Sequence, residues 1–159
     1  MKTNRKTQRG FTLVELIVYL ALFAILFGGA IAGTYSLIES GGRNQSRIMM
    51  QQEGEFLLAK INWIVSSAET AQVPTGDRLL VSSSLDNFEL KQSGNNLVLI
   101  KDSNPELILN NSSVRINNLS FSTVESNQKG IAYAFDLETN TPNGTTIISH
   151  FESTVYLRK

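Results

Sequence analysis

From Leu16 to Ile38 the chain runs 23 residues without a charge, "LIVYLALFAILFGGAIAGTYSLI". As a helix rising about 1.5 Å per residue it would extend about 35 Å, enough to cross the hydrocarbon core of a bilayer. Lys2, Arg5, Lys6 and Arg9 fall in the first ten residues, where no acid occurs, and fewer positive charges follow the run. The positive-inside bias then puts the amino terminus in the cytoplasm and exports residues 39–159. A secretory signal peptide would have a shorter apolar core ended by a small-residue cleavage site, whereas this stretch passes through "GGAIAG" into a helical pattern. With 159 residues in all, the chain supports one modest domain plus this appendage.

One acid stands at the inner edge of the run. Glu15 would cost about 2.5 to 3.5 kcal/mol at the centre of a membrane helix, so it should occur there only with a partner. Arg9 is six residues back and Thr12 offers only a hydroxyl. A positive group from another chain answers the need, and cutting beside Phe11 would create one as a new amino terminus.

The stretch "RGFTLVEL", preceded by a basic leader and followed by an apolar helix, resembles the amino terminus of type IV pilin-like proteins, the pilins and the pseudopilins of type II secretion. The resemblance implies that a prepilin peptidase cuts after Gly10 and that the new terminus at Phe11 is N-methylated. It also implies that Glu15, fifth after the cut, neutralises the amine of a neighbouring subunit during assembly. Many members of that family kink the stem with proline. Here the weak points are Gly28, Gly29 and Gly33, each costing roughly 1 kcal/mol of helix stability relative to alanine, unless they serve close helix packing in the membrane.

Beyond the membrane the helix pattern continues. Leu57, Ile61, Ile64, Val65 and Ala68 fall on one apolar face, with "ESGGRNQS" expected to bend or loosen the helix before them and Pro74 and Gly76 to mark its end. Met49, Met50, Phe56 and Trp63 accompany that face as expected core against a sheet. From Arg78 onward the pattern has period two: "RLLVS", "NFELKQ", "NLVLIK", "ELILN", "SVRINNLSFSTVE", "GIAYAFDLE" and "TIISHFESTVYLRK" are strand candidates, separated by "SGNN", "DSNP" and "NTPNG". The last of these connectors reads as a hairpin. The expected fold is α+β: a long N-terminal helix, half transmembrane and half amphipathic, packed on a C-terminal antiparallel sheet. The expected division is a leader at 1–10, a transmembrane and assembly helix at 11–38, and an exported domain at 39–159. The run "VRINNLSFSTVE" and the ending "STVYLRK" are similar to minor subunits of the same family, notably J-type pseudopilins and comparable minor pilins.

Signals for catalysis are absent from the sequence. His150 is the only histidine and there is no cysteine, which removes imidazole pairs, thiolate metal sites, cysteine nucleophiles and disulfides. Ser83, Ser84 and Ser120 have no base at a telling spacing, and Asp86, Asp102, Asp136 and Glu138 are scattered. No oxygen-ligand loop supports the calcium binding known in some pilin-like proteins. Asn44, Asn111, Asn118 and Asn143 head Asn-x-Ser/Thr triplets and read as turn and surface residues. Fourteen basic residues balance fourteen acidic ones, so no electrostatic footprint for nucleic acid appears. No enzyme and no cofactor is expected.

Two classes of function follow. In one the chain is a minor pilin or pseudopilin, inserted single-pass in the cytoplasmic membrane, processed by the peptidase and assembled with other subunits into a pilus or pseudopilus. In the other it is an exported binding or sensor domain that uses the apolar helix as a tether.

Overall fold

The computed structural model describes residues 12–102, 104–125 and 129–157. The described residues form one helix and eight strands: α1 (Leu13–Ser66), β1 (Thr70–Thr75), β2 (Arg78–Ser82), β3 (Asn87–Ser93), β4 (Asn96–Lys101), β5 (Leu107–Ile108), β6 (Arg115–Glu125), β7 (Lys129–Asn140) and β8 (Thr146–Tyr156). The α+β order agrees with the sequence reading. Two compact units divide between Gly41 and Gly42.

In the first unit the described residues are helical from Leu13 onward, and the large apolar side chains between Leu13 and Ile38 are exposed. Gly28, Gly29 and Gly33 do not interrupt the helix, and no atom would touch a β-carbon placed on any of them. This is the one helix among the described residues long and apolar enough to cross a membrane.

In the second unit the helix contributes Met50, Leu57, Ile61, Ile64 and Val65 to the interior, each fully buried. The predicted apolar face is therefore the one that packs. The break expected at "ESGGRNQS" does not occur, since α1 is continuous through it. Extending a helix already nucleated adds a hydrogen bond per residue, which outweighs a glycine cost of about 1 kcal/mol at each of Gly41 and Gly42. The expected end at Pro74 and Gly76 also fails. The helix stops at Ser66, where the Ser67 hydroxyl donates to the Ile64 carbonyl, one of the groups a helix end leaves open, and the Ser66 hydroxyl joins the Ser67 N–H on the Trp63 carbonyl. Pro74 instead lies in β1, an edge strand with no fully buried residue, where a missing N–H is tolerated. Of the Met-aromatic set only Met50 is core. Met49, Phe56 and Trp63 are exposed, and Trp63 lies edge-on to Phe88 with Lys60 Nζ 4.8 Å from its ring.

The strands form two antiparallel sheets rather than one, ordered β1-β2-β3-β4-β5 and β6-β7-β8. Between them the chain turns at a buried asparagine. Asn110 Oδ1 accepts from the Leu97 N–H at 2.9 Å, while Nδ2 donates to the Val114 carbonyl at 2.9 Å and to Asn96 Oδ1 at 3.1 Å. A side chain thus takes the place of a strand neighbour, which ends the first sheet. Glu53 of the helix accepts from the Asn111 N–H at 2.7 Å and ties the same turn down.

In the second sheet the odd residues of β7, Ile131, Tyr133, Phe135, Leu137 and Thr139, face the core. Phe135 stacks on Phe151 at 5.5 Å, and the Tyr133 hydroxyl donates to Asn62 Oδ1 of the helix at 2.9 Å. The "NTPNG" hairpin is present between β7 and β8, with Gly144 at a φ of 77°. That left-handed conformation is one glycine adopts without a steric penalty.

Candidate functional site

The first turn of α1 is set by a local exchange. Thr12 precedes the helix, its carbonyl accepts the Leu16 N–H at 3.2 Å, and its hydroxyl oxygen accepts the Glu15 N–H at 3.3 Å. A threonine capping the third helical position, occupied by glutamate, is the Thr-x-x-Glu pattern of a capping box. Glu15 also places a carboxylate in the first turn, where the helix dipole favours negative charge by about 0.3–1 kcal/mol. One turn later the Tyr19 hydroxyl donates to Glu15 Oε1 at 3.2 Å. Glu15 is half-buried although its neighbours are exposed.

Sequence reasoning singled out Glu15 but treated Thr12 as a bare hydroxyl. The spacing Thr12-x-x-Glu15 was the available signal for the cap, and the four-residue step to Tyr19 for the second bond. Gly10 and Phe11 lie outside the described residues. Further along, a shallow strip lined by Phe27, Ala30, Ile31, Thr34, Tyr35 and Ile38 runs along the helix. Within it the Thr34 hydroxyl donates to the Ala30 carbonyl at 2.9 Å, which satisfies it without water.

The remaining candidates are distributed over the second unit. His150 sits on the outer face of β8, where its Nδ1 is 2.6 Å from Asp136 Oδ1. Asn118, at a bulge in β6 with a φ of 53°, donates from Nδ2 to Asp136 Oδ2 at 2.7 Å. The Asn118 hydrogen bond first, and His150 second, hold the Asp136 carboxyl below its usual range; Asp136 in turn raises His150. Burial pushes the Tyr133 phenol up. Asp86 pairs with Lys101 at 2.9 Å and Glu138 accepts from Asn117 at 2.8 Å. Asp102 accepts the Asn87 N–H at 2.8 Å, Ser83 caps the turn that includes Ser84, and Ser120 reaches the Ala134 carbonyl at 3.5 Å. No cluster of three potential metal ligands occurs among the described residues. Asn111 and Asn143 are exposed in turns; Asn44 is exposed in the helix rather than a turn, and Asn118 occupies the β6 bulge.

A family model described as the prokaryotic N-terminal methylation motif matches residues 5–31. The chain carries a type IV pilin-like amino terminus. The match takes in Arg5, Lys6, Arg9, Thr12, Glu15 and Tyr19, and ends inside the apolar helix. Such a motif marks prepilin-type processing and a family of structural subunits. Neither the curated proteins nor the solved structures contain a match to this chain.

Proposed function

We propose that this protein is a minor pilin or pseudopilin, a non-enzymatic subunit cut after Gly10 by a prepilin peptidase, methylated at Phe11 and assembled through its N-terminal helix. Residues 1–10 are the leader, 11–38 the membrane and assembly helix, and 39–159 the exported domain. The amino terminus is cytoplasmic until cutting, and the exported domain ends in a pilus or a type II secretion pseudopilus. The observation that carries the reading is the match of the methylation motif over residues 5–31, which runs into an apolar helix whose large side chains from Leu13 to Ile38 are exposed in its own unit.

The capped first turn supports a role for Glu15. Its backbone N–H and one carboxylate oxygen are engaged within the chain, while a carboxylate has capacity for further donors. An incoming ammonium would find a preorganised acceptor there, fixed at the helix start by Thr12 and Tyr19.

Mass spectrometry of the mature protein tests the reading. A terminus at methylated Phe11 is expected, and Gly10→Val should leave the chain inserted but uncut. An intact Met1, or a terminus beyond Ile38, would instead fit a simple tether.

A further inference from the structure

In the second unit α1 buries Leu57, Ile61, Ile64 and Val65 in the core and leaves another apolar stripe without cover. Met49, Phe56 and Trp63 recur every seven residues and are 37%, 51% and 56% exposed. Three residues after each of them stand Gln52, Ala59 and Ser66, exposed as well. At about 100° per residue this stripe is turned roughly 150° from the buried one, so it lies on the side of the helix away from the core. Such alternation of three- and four-residue steps is the a and d seam of a two-stranded coiled coil.

The heptad also assigns two charges. With Met49, Phe56 and Trp63 at a, Glu55 is a g position and Lys60 an e position. In a parallel pair the g residue of one helix stands beside the e residue of the following heptad on the other, which sets Glu55 beside Lys60 twice over. Neither charge is answered within its own chain. No opposite charge stands three or four residues from either, the only steps that bring side chains together on one helix. Among the described residues Glu55 accepts only from Gln51 Nε2, at 3.5 Å, and the Lys60 ammonium has no carboxylate partner but lies 4.8 Å from the Trp63 ring, at the rim of the seam.

We infer that two copies of the chain pair through this stripe, helix beside helix in the same direction and in register, with Glu55 of each bonded to Lys60 of the other. The two-fold axis of the pair runs along the helices, so both chains keep the common direction of insertion in the membrane. From the proposed function the inference takes that direction and nothing else. Sliding one helix by a heptad would bring Glu55 against Glu53 of the other chain and leave both lysines without a carboxylate. The short seam needs no new helix, because α1 is already held by its core, and it forms between membrane-resident chains whether or not Gly10 has been cut.

The chain has no cysteine of its own, so single cysteines report the seam. In membranes from cells expressing the full-length chain, mild oxidation should give a disulfide dimer from Gln52→Cys and from Ala59→Cys, both beside the axis, and not from Gln51→Cys, which is exposed on the flank. An antiparallel pair could set only one of the two seam positions against itself. Phe56→Asp, at an exposed position outside the core, should abolish the Ala59→Cys dimer with the far-ultraviolet circular dichroism of the purified chain retained. Glu55→Lys should lower that dimer about five-fold, since two exposed ion pairs become two like-charge contacts, and adding Lys60→Glu should restore it. Dimer from neither or only one seam position, equal dimer from Gln51→Cys, or no recovery on the charge swap would overturn the inference. So would crosslinking of Ala59→Cys only to a different protein. A chain cut at Gly10 that gives no dimer defeats the pairing alone, whereas dimers from a chain that is never cut uphold the pairing and defeat the proposed processing.

Discussion

Gly54 of the helix lies directly against the Phe151 ring of β8, so closely that a β-carbon on Gly54 would fall among the ring atoms. The contact holds α1 on the second sheet where Phe151 stacks on Phe135. Gly54→Ala should destabilise the exported unit, because overpacking a tight core costs roughly 1–3 kcal/mol even though alanine is the better helix former. Phe151→Leu in the same chain should recover part of the loss, since the two sites share one contact. Chemical denaturation of both single variants and the double variant gives the coupling, and purely additive effects would refute it.

For Glu15, replacement by alanine or glutamine should leave membrane insertion unchanged or slightly improved, because a charge costly in hydrocarbon is gone. Assembly should weaken. Removing one partner of a buried ion pair costs roughly 3–5 kcal/mol, and the neighbour's amine would then be uncompensated. Membrane fractionation with crosslinking to co-assembling subunits separates the two effects. Crosslinking equal to wild type for both substitutions would remove the pairing role.

Tyr19→Phe tests the preorganisation of that carboxylate. It deletes the hydroxyl that donates to Glu15 Oε1 and keeps the ring. Crosslinking should fall by less than with Glu15→Ala, while cutting at Gly10 proceeds as before. A loss as large as that of Glu15→Ala would mean Tyr19 contacts the neighbour itself.

The pair His150 and Asp136 gives a pH signature with opposite limbs. His150 is raised in the fold chiefly by its hydrogen bond to Asp136, so its contribution is fully present below the unfolded value near 6.5 and is lost as pH rises through the folded value. Asp136 is lowered, first by Asn118, so its contribution is present above the unfolded value near 3.9 and is lost as pH falls through the folded one. Stability from this site should therefore be greatest at mildly acidic pH. His150→Gln should flatten the alkaline limb when denaturation is followed between about pH 5 and 8.

Much of this architecture was legible because period and burial coincide. Leu57, Ile61, Ile64 and Val65 declared their face by spacing, and seven strands from Arg78 onward by alternation. The eighth, β1, was hidden: "TAQVPT" alternates only over residues 70–73, where Ala71 and Val73 are half-buried, and its proline reads as a break rather than as part of an edge strand. The division into two sheets was hidden for another reason. It depends on Asn110 finding Leu97, Asn96 and Val114, a set of partners that local sequence does not announce. At the amino terminus Glu15 stood out as a charge in the wrong solvent, whereas the Thr12 cap was visible only as a four-residue pattern.

Asn110→Ala should accordingly be costly out of proportion to its size. It leaves the Leu97 N–H and the Val114 carbonyl without their partner, about 1–3 kcal/mol for a buried unsatisfied group. Chemical denaturation of the full chain in detergent reads it, and an effect within about 0.5 kcal/mol of wild type, as for ordinary surface changes, would show that the turn is held by other contacts.

From Ile131 to Glu138 the odd-even division of β7 separates two kinds of selection on one ribbon of chain. Ile131, Tyr133, Phe135 and Leu137 answer to packing, while Ala132, Ala134, Asp136 and Glu138 between them answer to whatever meets the outer face. Substitutions at the second set leave the first in register, because a side chain on one side of a pleat does not enter the other. Away from the Asp136 and Glu138 hydrogen bonds, such a sheet can exchange its surface identity over generations at little cost in stability, and two subunits with the same interior can come to recognise different neighbours.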